Sequence, residues 1–293
     1  MKNIKTITVF LSAALLLNGC AKTEEKQSEN KEISVSSYVE TEIFTTEPIT
    51  ETVTESPTES PTESSTEPPV EYDNIEFIHE ENEVLADDGT VLFKSHVDYP
   101  QISTGNQEVD DIINQYYLDQ KELYLSGDYI NADKEEIQDF YEFRLSNGNY
   151  WLEYECCLET SVKYYSEDYV SFYNLEYTFT GGAHGYVCDY SRNFSLKTGE
   201  ELAFDDIFTA DFKPFAEEYI INELEKREEE YGLWEDYKEQ VNKRIEKEAN
   251  WYLTENGFLI TFSPYEIASF GKGIIEVEIP YEDLQKYIKN APL

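Results

Sequence analysis

The residues of this chain best suited to chemistry are few: three histidines, four cysteines and a glycine-rich reversal that carries one of the histidines. The reversal is Thr180-Gly181-Gly182-Ala183-His184-Gly185, flanked by runs dense in Tyr, Phe and Val, Asp168 to Phe179 and Tyr186 to Leu196. Two such runs joined by a glycine-rich turn read as a β-hairpin. Gly181, Gly182 and Gly185 supply the positive φ angles of a sharp reversal, which leaves His184 at the tip, beside backbone that a partner can approach closely. The chemistry this suggests is contact rather than reaction. There is no Gly-x-Ser-x-Gly, no phosphate-cradling glycine loop and no Cys and His pair at a known spacing.

His79, His96 and His184 are scattered, with nothing like the His-Glu-x-x-His spacing of a zinc helix. No metal and no other cofactor is therefore expected; zinc assembled across strands with carboxylates is the alternative. Asp205-Asp206 and Asp87-Asp88-Gly89 lack the alternating acid ladder of an EF-hand loop. Carboxylate pairs are too abundant to signal glycosidase chemistry, so the chain reads as no enzyme. Of Cys20, Cys156, Cys157 and Cys188, the last three fall on strand-like runs. Simple hairpin pairing puts Cys156 opposite Glu176 and Cys188 opposite Thr178, on opposite sides of a central strand. That separation is roughly 9 to 10 Å, beyond the ~7 Å limit between Cα atoms of a disulfide, so buried thiols are expected. Phe262-Ser263-Pro264-Tyr265-Glu266-Ile267 is the other candidate contact. A proline directly after a strand ends its ladder and exposes Tyr265 as an interface anchor; a tyrosine folded back onto the core is the alternative.

The elements around these residues begin with a leader. Lys2 and Lys5 precede the apolar run Ile7 to Leu17, too short to span a bilayer. It ends in Leu17-Asn18-Gly19-Cys20, a lipobox-like sequence whose Cys20 would be lipidated; an ordinary signal peptide is the alternative. Residues 1–20 are thus expected to be a lipoprotein signal, placing the protein outside the cytoplasm, lipid-anchored to a bacterial membrane. Residues 21–70, with Thr54-Glu55-Ser56-Pro57 and Thr58-Glu59-Ser60-Pro61, are expected to form a disordered tether, about 40 Å end to end as a flexible coil. Of the 62 Asp and Glu and the 22 Lys and Arg, 50 and 17 lie from Glu71 onward. So acidic a domain excludes nucleic acid as a natural partner and draws cationic ones.

From Glu71 the hydrophobic pattern predicts strands at Asn74–His79, Glu83–Ala86 and Val91–Tyr99, the latter two joined through Asp87-Asp88-Gly89. Helices follow at Gln107–Tyr124, with Val109, Ile112, Ile113, Tyr116 and Tyr117 inward, and at Asp133–Leu145, with Ile137, Phe140 and Tyr141 inward. A three-strand meander, Tyr150–Tyr164, Tyr169–Thr180 and Tyr186–Leu196, precedes helices at Phe212–Tyr231 and Leu233–Asn250, the second with Trp234 on its apolar face. Strands at Trp251–Thr254, Phe258–Phe262 and Gly273–Ile279 and a closing helix complete an α+β domain with antiparallel sheets. Its expected halves are 71–148 and 149–293.

In that order, Thr180 to Gly185, Phe194-Ser195-Leu196-Lys197-Thr198-Gly199-Glu200, and Phe258 to Ile267 with Val277-Glu278-Ile279-Pro280-Tyr281 resemble the extracellular domain of the RsiV family. Those proteins are membrane anti-sigma factors that sense lysozyme, and a related domain occurs in PdaC-type peptidoglycan deacetylases. The resemblance covers about Glu71 to Leu293. It implies extracellular ligand binding, by lysozyme or by peptidoglycan, with Gly181, Gly182, His184, Gly185, Ser263, Pro264 and Tyr265 as the matching contact residues. Anti-sigma activity is not expected, because a lipobox and tether stand where that family has a sigma-binding segment and a transmembrane helix. Deacetylation is not expected either, with no catalytic domain after Leu293.

Overall fold

A computed structural model describes residues 72–289. The expected signal peptide, the lipid acceptor Cys20 and the tether lie outside the described residues. Among those residues no helix is long and apolar enough to cross a membrane.

β1 (Ile75–Leu85) and β2 (Val91–Ile102) form an antiparallel hairpin with a bulge at Val84/Leu85. The two short strands expected before Asp87 are one strand. Gly89 closes the turn at φ +88°, with its N–H on the Ala86 carbonyl at 3.0 Å. α1 (Gln107–Ser126) starts at Asn106, whose side chain accepts from the Glu108 N–H. It stops at Gly127, where a Cβ would press on Ala132 and the Phe93 ring. α2 (Lys134–Ser146) is capped by Asp133, which accepts from the N–H groups of Glu135 and Glu136. Val109, Ile113, Tyr117 and Tyr124 of α1 and Ile137 and Tyr141 of α2 face inward. Ile112 and Phe140, expected inward, are exposed, because the buried stripe is narrower than the run of apolar residues.

The two helices carry the chain over to β3 (Tyr154–Tyr165), which pairs parallel to β2, from Phe93↔Tyr154 to Asp98↔Glu159. β4 (Tyr169–Phe179) and β5 (Tyr186–Ser195) follow antiparallel, giving one sheet in the order β1-β2-β3-β4-β5. The meander is as expected; the parallel pair is not, since no local pattern announces it. It also runs across residues 148 and 149, so the sheet joins the two expected halves. Beyond β5 come α3 (Phe204–Ile207), α4 (Phe212–Lys226), α5 (Glu228–Tyr231) and α6 (Tyr237–Lys247). β6 (Trp251–Leu253), β7 (Gly257–Phe262) and β8 (Ile275–Pro280) make a second antiparallel sheet, closed by α7 (Tyr281–Leu284).

Two hydrophobic clusters result, dividing near residue 200. Phe93, Val97, Tyr117, Tyr124, Leu158 and Phe172 lie between the first sheet and α1–α2. Phe204, Phe208, Phe212, Leu224, Val241, Trp251 and Phe258 fill the second. Full burial of each such side chain stabilises by about 1.5–3 kcal/mol. A buried polar seam joins β4–β5 to the second sheet. The Ser171 hydroxyl bonds Asn193 Oδ1 at 2.5 Å and accepts the Leu253 N–H at 3.1 Å, and Asn193 Nδ2 donates to the Trp251 carbonyl at 2.8 Å. These side chains alternate with the apolar ones along β4 and β5, so the first sheet has a dry face towards α1 and an outer face carrying the seam.

Candidate functional site

The reversal at residues 180–185 and the loop that follows β7 come together. Gly181 and Gly182 adopt φ of 96° and 109°, with open space where a Cβ would stand. Gly185, expected at positive φ, is not; it must be glycine for a different reason, because the Tyr177 ring lies where its Cβ would be. All three glycines therefore serve the turn itself. His184 Nδ1–H donates to the Gly185 carbonyl at 2.7 Å, which fixes the exposed imidazole. That ring stacks on Phe270, centroids 4.2 Å apart and planes at 24°. Phe270 meets Tyr265 at 5.5 Å, and Tyr265 meets Trp234 at 6.5 Å and 26°. The result is a ladder of four rings, His184, Phe270, Tyr265 and Trp234, drawn from three separate stretches of chain.

Tyr265 is the strained rung. It is 47 % exposed and sits at φ +70°, a left-handed conformation that costs a bulky L-residue roughly 1–2 kcal/mol. Its surroundings hold it there. The Tyr265 N–H reaches the Ala268 carbonyl at 3.2 Å, and the Glu266 N–H reaches the Ser263 carbonyl at 3.1 Å. Ser263 N–H donates to Glu266 Oε2 at 2.6 Å, and Arg244 pairs with the same carboxylate. The Trp234 N–H bonds the Ile267 carbonyl at 3.0 Å, tying the far rung to the loop. Beneath, the Ser263 hydroxyl donates to Asp189 Oδ1 at 3.0 Å, and Asp189 Oδ2 accepts from Tyr252 at 2.8 Å and from Thr261. Ser263 and Pro264, expected among the contact residues, are buried. They support the ladder from below and cannot touch a partner. Trp234, expected on a buried helix face, precedes α6 and is 39 % exposed. Phe270 gave no sequence signal; nothing local distinguishes it from a core phenylalanine.

Two further clusters lie elsewhere. On the dry face of the first sheet, Glu176 accepts from the hydroxyls of Tyr124 and Tyr129 (2.8 Å for the latter) and from the Cys188 thiol at 2.9 Å. Burial pushes its carboxyl up to about 7, against the Cys188 hydrogen bond and the charge of Arg192. Cys188 stands opposite Glu176, and Cys156 opposite Thr178, the reverse of the expected pairing. Both turns of the meander centre about one residue away from where shorter loops would have put them. Among the described residues Cys156, Cys157 and Cys188 are all free thiols, still flanking the central strand. On the outer face, His79 and His96 lie side by side, ring centroids 5.8 Å apart. His79 Nδ1 is 2.7 Å from Asp98 Oδ1, and His96 Nε2 is 3.4 Å from Glu159 Oε1. Sequence spacing hid this pair because strand register, not a helical repeat, joins them.

Comparison with known proteins gives two family matches. Residues 87–187 match the model described as Deacetylase PdaC, and residues 205–282 match the one described as Protein of unknown function (DUF3298). No curated protein sequence matches. Among solved structures, the crystal structure of a DUF3298 family member from Bacteroides fragilis is 20 % identical and aligns with a TM-score of 0.57. The alignment covers 74 % of this chain and 93 % of that one. A DUF3298 family protein from Pseudomonas aeruginosa is 16 % identical over 73 % of this chain and 94 % of its own, TM-score 0.45. A stretch that matches the PdaC model is thus followed by one that matches the DUF3298 model, on a fold shared with the Bacteroides fragilis protein.

Proposed function

We propose that this protein is a non-catalytic, lipid-anchored surface protein whose RsiV-like domain binds a cationic wall-active protein, lysozyme being the first candidate. The observation that carries the reading is the ring ladder. The two stretches singled out by the resemblance meet through Phe270, and the rungs at His184, Tyr265 and Trp234 are exposed. Rigid, amphipathic rings fixed before binding are what a protein interface uses as anchors, because little side-chain entropy remains to be lost. A formal net charge of −40 favours a basic partner and speeds the encounter.

Calorimetry of the purified protein against lysozyme, with cytochrome c as a basic control, tests this. Saturable one-to-one binding to lysozyme alone, lost in Tyr265→Ala and weakened in Trp234→Ala, is the expected result. Equal weak binding to both basic proteins would reduce the effect to generic charge.

A second reading, a peptidoglycan-binding module, draws on a different place. An open groove of about 500 Å³ is lined by Asp211, Pro214, Phe215, Glu218, Lys286 and Tyr287. Phe215 and Tyr287 stack at 4.3 Å along it, and aromatic surface flanked by charged groups suits sugar rings. Salt-insensitive retention on purified wall, lost in Phe215→Ala and kept in Tyr265→Ala, would favour this reading over the first.

A further inference from the structure

We propose that the uncovered end of the first sheet's outer face is a zinc site, with His79, His96, Asp98 and Glu159 as ligands and Glu81 supporting them. Strand register builds it. His79 is opposite Asp98 and Glu81 opposite His96 across the antiparallel β1–β2 pair. His96 is level with Cys157, and Asp98 with Glu159, across the parallel β2–β3 pair. Residues directly opposite one another share a face, and alternate residues of one strand return to it. The six side chains therefore form two adjacent rows on a single face. The second sheet packs over β4, β5 and part of β3 and leaves the β1 side of this face open: the His79 and Glu159 side chains are 51 % and 58 % exposed.

Three of the four donors already stand together. Those of His96, Asp98 and Glu159 all lie within 4.8 Å of one another. Zinc bonds of about 2.0–2.2 Å place tetrahedral donors roughly 3.3 Å apart. His96 Nε2 and Glu159 Oε1 stand at 3.4 Å. His79 lies outside that group of three, with Nδ1 2.7 Å from Asp98 Oδ1; its half-exposed side chain must rotate to part from Asp98 by about half an ångström and to bring Nδ1 towards the donors of His96 and Glu159. An imidazole pair with two carboxylates selects a borderline ion such as zinc over calcium or magnesium, which favour oxygen donors. The outer group fits too. His79 Nε2 lies 3.0 Å from Glu81 Oε1, so with Nδ1 on the metal its Nε2–H donates to a carboxylate, the arrangement that orients metal-bound histidines. Simple ion pairing accounts poorly for the same geometry, since exposed pairs contribute about 0–1 kcal/mol, yet two of the chain's three histidines stand here together. An ion held by three strands would tie the edge strand β1 to β2 and β3.

The test is titration of the chelator-treated full-length protein with zinc chloride by calorimetry, with thermal unfolding in parallel. One ion per chain should bind, the melting temperature should rise, and millimolar calcium should not compete. His79→Ala/His96→Ala should lose at least about 100-fold in affinity, while His184→Ala binds as the parent does. Asp98→Asn, close to isosteric, guards against simple misfolding. It should keep the parental circular dichroism and still bind more weakly. X-ray absorption of the loaded protein should show two imidazoles. Parental affinity in the double-histidine variant, displacement by equimolar calcium, or no saturable binding would each overturn the assignment.

Discussion

Glu176 should control how the stability of this domain responds to pH. Its carboxyl is raised from its ordinary 4.5 to about 7, first by burial, with the nearby charge of Asp189 adding to it. Its partners stay protonated throughout: burial lifts Tyr129 to about 12 and pushes the Cys188 thiol well above its usual range. A carboxyl with a folded-state pKa above its unfolded one holds its proton more tightly when folded. Its contribution is fully present below about pH 4.5 and is lost as the pH rises through 7. At about 1.4 kcal/mol per pH unit the loss approaches 3 kcal/mol by pH 8. Glu176→Gln removes the charge and keeps an acceptor for Tyr124 and Tyr129. Urea unfolding of both proteins from pH 4.5 to 8.5 reads the difference directly, and the subtraction cancels the other carboxylates. The variant should match the parent at pH 4.5 and exceed it by up to about 3 kcal/mol at pH 8, with most of the change between pH 5 and 7. A difference that stays flat across that range would refute the reasoning.

Other substitutions test the parts that hold the ladder. Tyr265→Gly should be more stable than Tyr265→Ala by about 1 kcal/mol in urea, because glycine tolerates the positive φ that alanine resists; equal stabilities would mean that the loop relaxes freely. Asp189→Ala removes the acceptor of the Tyr252, Thr261 and Ser263 hydroxyls, and should cost about 3 kcal/mol or more while speeding hydrogen exchange at Glu266 and Ile267. In Gly257→Ala the new methyl falls on the Ile279 carbonyl across the β7–β8 pair. It should cost more than about 3 kcal/mol, whereas Gly181→Ala, with open space around it, should cost only about 1 kcal/mol in backbone strain. Melting temperatures would rank the pair.

Local pattern carried much of this fold. The meander, α1, α2 and the three closing strands all announce themselves through periodicity and turn chemistry, and Asn106, Asp133 and Gly127 mark helix ends as such residues should. What stayed hidden was long-range register. The β2–β3 pairing leaves no local trace, so Glu159 and Cys157 could not be placed beside His96 and Asp98, and the hairpin register that sets His79 beside His96 was hidden because β1 was read as two short strands. The loop at Ser263 to Tyr265 was visible because proline ends a ladder, but which of its residues point outward depended on Asp189, far away in sequence. Phe270 and Trp234 were invisible as rungs because an aromatic side chain is most often core, and only the meeting of two loops exposes them.

The parallel joint between β2 and β3 also bears on how the chain reaches this state. A lone hairpin such as β1–β2 is marginal in water. Its inner neighbour does not exist until α1 and α2 have been passed, since Phe93 must await Tyr154 and Asp98 must await Glu159. Closing so long a loop carries an entropic cost before any contact rewards it. The β2–β3 joint therefore closes after the local hairpins on either side of it, with β2 presenting an open edge in the meantime. Glu80, Glu81 and Glu83 on β1 give that waiting hairpin a charged margin that discourages pairing with a neighbouring chain. The acidity that reads as bait for a basic partner in the finished domain thus also protects the unfinished one.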